Sequence, residues 1–339
     1  MSRNISKIHK IAIVTDDLKK TEEFYTKVLG LEPIERFPAT KPGDNYIFLR
    51  AGDIILELVP SEAGPVGFHH ISFMVDDPDA EFAALKGEGI KCTMDPVDAG
   101  SGINIGFFED PNGLKLQVFC RTKVKTLVWS ERSEPSDVYP DGINGAIAEY
   151  LRQFTVFDVR TAQITDDKLG LSEEALNWAD VLIWWGHIRH NDIDDTTLNR
   201  IVKRVKEGGM GFVPIHSSHY SRPFKALMGT PCGFGSSAPW GPEKLSVELP
   251  DHPISEGVED FTIEEEEGYG EPFQGPEPSA VVLKSTYKDG TTFRSGITFE
   301  VGKGRIFYFR PGHETFPIMK LEMVRRIIRN AALWVAHRH

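Results

Sequence analysis

The stretch Gly208–His219, GGMGFVPIHSSH, decides the fold. Two glycines end an amphipathic pattern, DDTTLNRIVKRVKEG, and the apolar run Gly211 to Ile215 has the length and Val/Ile/Phe content of a buried strand rather than a helix. Polar side chains then arrive together as His216, Ser217, Ser218 and His219. In an open α/β sheet the carboxyl edge of the strands is where loops and helix amino termini converge on a ligand. Two other stretches end alike. VLIWWGHIRH leads from an apolar strand, Val181 to Trp185, to His187 and His190, and GRIFYFRPGH leads from Ile306–Phe309 to Arg310 and His313. Five of the eleven histidines thus follow three apolar strands. One histidine in such a place is ordinarily a loop or capping residue; five share a cleft only if the three strands are neighbours in one parallel sheet.

A chain of 339 residues exceeds one ordinary core, so two domains are expected. The formal charge of −12 leaves no basic stripe to neutralise phosphates, which argues against a nucleic-acid partner. No lysine-rich amphipathic helix suggests a membrane surface, and no apolar run approaches a membrane span. The opening MSRNISKIHK lacks the apolar core of a signal peptide, so the expected address is the cytoplasm. Cys92, Cys120 and Cys232 have neither metal nor redox spacing and are expected to be reduced and unreactive.

Residues 1–122 contain an internal repeat. HKIAIVTDDLKKTEEFYTKVLGL and HHISFMVDDPDAEFAALKGEGI share an alternating strand, a DD turn able to cap a helix, an amphipathic helix and a glycine. Shorter strands follow each, in YIFLRAGDIILELVP and INIGFFEDPNGLKLQVF. The pattern predicts a duplicated βαβββ module, an α+β fold whose curved, mostly antiparallel sheet encloses a cavity. Residues 7–121 resemble the vicinal oxygen chelate (glyoxalase) superfamily, through the duplication, the segment Asp16 to Tyr25 and the closing DPNGLKLQVF. That resemblance implies four inward metal-ligand positions, which fall on Lys10, Glu57, His70 and Gln117. Glu57, His70 and Gln117 suit a divalent ion, whereas the Lys10 ammonium repels one, and strand alternation puts His9 on the opposite face. The alternatives are a metal-free binding or dimerisation module with a Lys10–Glu57 ion pair, or a Lys10 that contacts a substrate. Such modules often pair, which implies a homodimer.

Beyond residue 122 the pattern alternates between strands and helices, with caps such as Ser172 followed by two glutamates, and predicts a doubly wound, mostly parallel α/β sheet over 123–339. Later segments, LSVELP, AVVLKSTY, TFRSGITFEVGKG and RIFYF, read as more antiparallel strands. The motifs YPDGINGAIAEYL (139–151), WADVLIWWGHIRH (178–190), GMGFVPIHSSH (209–219), EEGYGEPF (266–273), FRSG (293–296) and IFYFRPGHE (306–314) resemble the trehalose-utilisation (ThuA-like) family. The resemblance implies a class I glutamine-amidotransferase-like fold in which His216 stands where an amidotransferase has its cysteine nucleophile. With imidazole in place of thiol, thiol-based amide hydrolysis is excluded. Asn144 stands where family members usually have histidine, and GFGSSAPWGPEK (233–244) replaces a Trp-Arg-Glu segment, so trehalose itself is not implied as the substrate.

Histidines without a nucleophile serve as metal ligands or as general acids and bases. The candidate catalytic residues are His216, His219, Glu271 and His313; the candidate substrate contacts are His187, His190, Tyr269, Arg294 and Arg310. His187, His216 and His313 are the candidate ligands for Zn²⁺, Mn²⁺ or Fe²⁺, and no nucleotide cofactor is expected. Most of the acidic run Glu264–Glu267 is expected to be solvated. The family's association with sugar catabolism implies an enzyme acting on a sugar or keto-sugar glycoside through an enediolate, by elimination, hydrolysis or isomerisation. The alternatives are a non-catalytic carbohydrate-binding or assembly protein, and metal-dependent lyase or dioxygenase chemistry in residues 1–122.

Overall fold

The computed structural model describes residues 5, 7–39, 44–100 and 102–338. The chain divides into two compact units, Met1–Thr122 and Lys123–His339.

The first unit runs β1 (Ile8–Thr15), α1 (Leu18–Glu23), β2 (Glu32–Pro38), β3 (Asn45–Ala51), β4 (Ile54–Pro60), β5 (Gly67–Met74), α2 (Pro78–Gly87), β6 (Cys92–Gly100), β7 (Ile103–Glu109) and β8 (Lys115–Arg121). Its sheet has the order β2-β3-β4-β1-β5-β8-β7-β6. Each half repeats one arrangement: β1 lies parallel to β4, as β5 does to β8, and β1 and β5 meet antiparallel at the centre. The DD turns act alike, since Asp17 accepts from Lys20 N and Asp77 from Ala80 N, capping α1 and α2. One expectation fails here. A register shift between Ile8 and Lys10 breaks the alternation of β1, so His9 is buried and stacks on Phe119, the ring over which Lys10 Nζ also lies.

The second unit runs β9 (Val124–Ser130), α3 (Gly142–Leu151), β10 (Phe157–Gln163), α4 (Glu173–Trp178), β11 (Val181–Trp185), α5 (Asp195–Lys206), β12 (Gly211–Ile215), α6 (Arg222–Met228), β13 (Phe234–Ala238), β14 (Glu243–Val247), β15 (Phe261–Ile263), β16 (Gly268–Phe273), β17 (Ala280–Tyr287), β18 (Thr292–Val301), β19 (Gly304–Phe309) and α7 (Glu322–Val335). Its main sheet has the order β10-β9-β11-β12-β19-β18-β17-β14-β15, and β13 pairs with β16 as a separate ribbon. Strands β10, β9, β11, β12 and β19 are mutually parallel, and the remainder continue the sheet antiparallel. Strand β19, the RIFYF segment, joins the two halves: it is parallel to β12 and antiparallel to β18. Val181–Trp185 and Gly211–Ile215 are buried throughout, which is why they read as unbroken apolar runs. Trp129 of β9 stacks on Trp184 of β11 at 3.9 Å beneath the site.

Register places the candidate residues. Trp185, Ile215 and Phe309 lie level as the last residues of β11, β12 and β19. The chain therefore leaves three adjacent strands at one height, and the segments holding His187, His216 and His313 start side by side. The order of strands reverses next to this point, since β10 lies beyond β9 on one side and β11 on the other, the place where α/β sheets hold ligands.

Candidate functional site

His216 turns sharply off β12 with φ of 58°, a conformation that side chains other than glycine rarely adopt, and its ring is fully buried. Its Nδ1 donates to the Arg310 carbonyl at 3.2 Å. His187 Nδ1 donates to the Glu314 carboxylate, 2.7 Å from both oxygens. His313 Nδ1 is engaged by Thr315 Oγ1 at 2.9 Å. With every Nδ1 committed, Nε2 is the nitrogen each ring presents. The ring centroids lie 5.0 Å apart for His187–His216, 5.0 Å for His187–His313 and 5.3 Å for His216–His313. Glu267 completes the group, and one ligand atom from each of the four residues falls within 4.8 Å of the others.

The surroundings fit a divalent ion. His216 Nε2 and Glu267 Oε2 are 3.4 Å apart, and both are buried without a hydrogen-bond partner among the described residues. Burial holds His216 well below the usual imidazole range, aided by the charges of His187 and His313, and burial likewise lowers His313. Burial acts on His187 in the same direction, but the hydrogen bond and charge of Glu314 prevail and raise it. Burial pushes the Glu267 carboxyl up, against the pull of His187, Arg310 and the Tyr269 hydroxyl. His187 and His216, whose Nδ1–H groups are oriented by Glu314 and the Arg310 carbonyl, turn Nε2 lone pairs to the cluster. His313, whose Nδ1 lies 3.3 Å from the donor Thr315 N, does so in the tautomer that donates to Thr315 Oγ1, and with the Glu267 carboxylate these rings form a donor set that Zn²⁺, Mn²⁺ or Fe²⁺ accepts.

The loops bearing these rings are fixed from behind. Trp185 Nε1 donates to Gly312 O at 2.9 Å, and the buried Glu266 accepts from Gly312 N at 2.7 Å and His313 N at 3.3 Å. Gly312 has φ of 141°, and a Cβ there would lie 2.7 Å from Met319 Cε and 3.0 Å from Ile215 Cγ2. Glu131, just past β9, accepts from Ile188 N at 2.7 Å and Arg189 N at 2.9 Å and so shapes the His187 loop. On the open side Trp240 is 58% exposed, its ring 4.8 Å from that of His313.

A model of the trehalose-utilisation family, ThuA, matches residues 125–335. The chain belongs to this family. Residues 7–118 match the glyoxalase/bleomycin resistance protein/dioxygenase superfamily, so the chain is a fusion of a glyoxalase-type unit with a ThuA unit. Uncharacterized protein YaeR of Escherichia coli (strain K12) is 29% identical over 124 residues, 34% of this chain and 96% of that protein. Mitochondrial methylmalonyl-CoA epimerase of Homo sapiens is 28% identical over 112 residues, 29% of this chain and 62% of the human protein. A solved methylmalonyl-CoA epimerase from Mycobacterium tuberculosis aligns with 36% of this chain and 92% of its own at 15% identity and a TM-score of 0.32. The ThuA match associates the chain with sugar utilisation. Among the described residues no helix is long and apolar enough to cross a membrane.

Not every residue expected at the ThuA site lies there. His219 is fully buried in a cage of Tyr220, Phe234, Tyr269, Phe273 and Tyr308, with Nδ1 donating to Cys232 O. Burial lowers it to about 3, so it is a neutral core histidine. Residues 216–220 form a 3-10 turn, in which positions three apart would share a face, but the positive φ of His216 swings its ring away from that of His219. His190 lies outside the cluster, its ring 6.1 Å from Tyr220.

Glu271 and Arg294 occupy each other. The carboxylate accepts from Arg294 Nε at 3.0 Å and Arg294 N at 2.9 Å; burial would raise its pKa, but these bonds hold it below the usual range. Arg310 is fully buried, its guanidinium paired with Glu243 and Glu266 and donating to Glu267 O at 2.6 Å, so it supports the site from beneath. Tyr269 is also buried, shares a hydrogen bond with Ser217 at 2.7 Å, and stacks 5.8 Å from His216. The acidic run divides: Glu264 and Glu265 are exposed, whereas Glu266 and Glu267 turn inward. The sequence does not single out Glu267, Glu131 or Trp240 as site residues. The GHE end of the β19 motif was the available signal for Glu314.

In the glyoxalase-type unit the four expected ligand positions do converge, on a cavity of about 510 Å³ lined by Lys10, Glu57, His70 and Gln117. They do not fit a divalent ion. Lys10 Nζ donates to Glu57 Oε2 at 2.6 Å, which neutralises the one anionic ligand, and Gln117 Oε1 accepts from Ser72 Oγ at 2.7 Å. Both Lys10 and Glu57 are buried, so an entering dication would face an ammonium that water does not screen.

Proposed function

We propose that the protein is a carbohydrate-catabolic enzyme whose ThuA unit enolises a keto-sugar glycoside at the cluster of His187, His216, Glu267 and His313. The observation that carries this reading is the meeting of three imidazoles, each anchored through Nδ1, with a carboxylate oxygen that has no partner. His187, His216 and His313 would hold a divalent metal, with Glu314 and the Arg310 carbonyl orienting two of the rings. When bound, such an ion supplies Lewis-acid stabilisation of developing negative charge on a substrate oxygen.

Glu267 acts as the base. Its Oε2 is buried 3.4 Å from His216 Nε2 and faces the cluster, and burial raises its carboxyl above the usual range, which strengthens it as a proton acceptor. A carbonyl at C3 of a sugar acidifies the proton at C2, and the Glu267 carboxylate accepts that proton while the bonding electrons move to the carbonyl oxygen. From the enediolate, the electrons return to expel the glycosidic oxygen at C1, which takes the proton back from Glu267 and leaves as the alcohol. Protonation at C3 from the same carboxyl, with the C2 hydroxyl proton passing to the C3 oxygen, would give the 2-keto isomer instead. Trp240 offers an apolar face to the sugar ring beside His313. In deuterium oxide with a 3-keto disaccharide, the protein is expected to release the aglycone sugar or exchange deuterium at C2. Glu267→Gln should lose both while retaining bound metal. If the wild-type protein, loaded with Zn²⁺, Mn²⁺ or Fe²⁺ in turn, gives neither cleavage nor exchange, the reading fails.

A further inference from the structure

The cavity of the glyoxalase-type unit has a chemistry of its own. Lys115 Nζ lies 3.0 Å from His69 Nε2, and His69 Nδ1 lies 3.0 Å from His70 Nδ1. An ammonium can only donate, so His69 Nε2 accepts, its proton sits on Nδ1, and His70 Nδ1 accepts in turn. The proton of neutral His70 is therefore on Nε2. That Nε2 is buried, has no partner within hydrogen-bond distance among the described residues, and stands 3.7 Å from Glu57 Oε2, with the Gln117 side chain close enough to act on the ring. A metal needs a lone pair at this place, and His70 presents an N–H.

Charge points the same way. Lys10 and Lys115 contribute two positive charges to the lining, Glu57 one negative, and His69 and His70 are kept neutral by burial and by the lysines. The sum is one positive charge. The rest of the wall is largely apolar and includes aromatic rings beside both ammoniums, with Lys10 Nζ 5.0 Å from the Phe48 ring centre and 5.1 Å from that of Phe119, and Lys115 Nζ 4.3 Å from that of Phe107. The volume, about 510 Å³, lies in the range of small-ligand pockets.

We propose that this cavity is a metal-independent binding site for a small organic monoanion, a carboxylate on an apolar or aromatic body, with Lys10, Lys115 and the His70 Nε2–H as its recognition groups. The Lys10 ammonium provides a fixed positive charge on the cavity wall. Glu57 holds that ammonium in place and limits the net charge, so that one negative charge is accommodated and two are not.

Calorimetric titration of the full-length protein with 2-naphthoate, and with 2-naphthamide as the neutral counterpart, tests this. Naphthoate is expected to bind one to one, at least about tenfold tighter than the amide, with an affinity unaltered by EDTA or added Mn²⁺. Lys115→Met, which changes a half-buried residue, should weaken naphthoate about tenfold. Lys10→Met breaks a buried ion pair and can impair folding, so Lys10→Met/Glu57→Gln, which removes both charges, serves beside it and should also lose the preference for naphthoate over the amide. Equal binding of acid and amide, naphthoate affinity unchanged in both Lys115→Met and the double variant, or a Glu57→Gln chain that binds fewer equivalents of Zn²⁺ than the wild type would each overturn the proposal.

Discussion

His187 Nδ1 lies 2.7 Å from both carboxylate oxygens of Glu314, although the two residues leave different strands of the sheet. The carboxylate fixes the tautomer of the ring and raises its basicity, which is how an outer carboxylate strengthens a histidine ligand. Glu314→Gln preserves shape but removes the charge. The apparent affinity for Zn²⁺ should fall about 10- to 100-fold, as read by competition with a chromogenic chelator. An affinity unchanged within twofold would mean that His187 does not bind the ion.

His216 and His219 look equivalent in HSSH, and their substitutions should separate. His216→Ala removes a ring whose Nε2 faces the cluster, so metal content and turnover should both be lost, turnover by at least about 100-fold. His219→Leu leaves the Cys232 carbonyl without its donor inside an aromatic cage. Stability should fall by about 1–3 kcal/mol, while the folded fraction keeps its metal and its kcat. Denaturant titration beside metal analysis of both variants decides the matter.

The contrast shows how much of the molecule the sequence discloses. Three apolar runs each ending in histidine declare their strands, because strands buried on both faces show no alternation, and the DD pairs declare their helices, because Asp17 and Asp77 cap by purely local bonds. The convergence of His187, His216 and His313 then needed only that β11, β12 and β19 be neighbours. Glu267 was illegible because four consecutive glutamates carry no period; which two turn inward depends on Arg310, buried beneath them and 43 residues away from Glu267. Glu271 and Arg294, 23 residues apart, each resembled a free site residue because their mutual ion pair is a tertiary fact. His219 was misplaced because the φ of His216, which decides where the next turn faces, has no sequence signature in a residue other than glycine.

Arg310 offers a sharper test of structural support. Its guanidinium is fully buried between the carboxylates of Glu243 and Glu266, and Glu266 in turn holds the backbone of Gly312 and His313. Arg310→Met strands two buried carboxylates and should lower stability by about 3–5 kcal/mol, a loss measurable by urea unfolding. Arg310→Met/Glu243→Gln removes one of those charges and should recover part of the loss. A single variant as stable as wild type would show that Arg310 is not the charge that holds Glu266 and Glu267 inward.

Trp240 is expected to act through binding. A large aromatic ring left 58% exposed beside His313 has little to contribute to the core, and no proton-transfer role is available to it. Trp240→Ala should raise KM for the keto-sugar about tenfold with kcat within twofold, the pattern of an interaction made equally in ground and transition states. A drop in kcat at constant KM would instead place the ring near the reacting atoms.

Acid should destabilise the glyoxalase-type unit through His9. Burial, followed by the charges of Lys10, Lys7 and Arg121, lowers this imidazole from 6.5 to about 3. Between those values the unfolded chain binds a proton that the folded chain does not, so stability is complete above about pH 6.5 and falls as pH drops toward 3. The slope is at most about 1.4 kcal/mol per pH unit for the one group. His9→Phe keeps an aromatic ring against Phe119, where His9 now stacks at 4.3 Å, and removes the titration. The variant should therefore lose less melting temperature between pH 7 and pH 4.5 than the unaltered chain does. Parallel loss in both chains would assign the acid sensitivity to other buried groups, with His70 the next to substitute, since burial and Lys10 also keep it neutral.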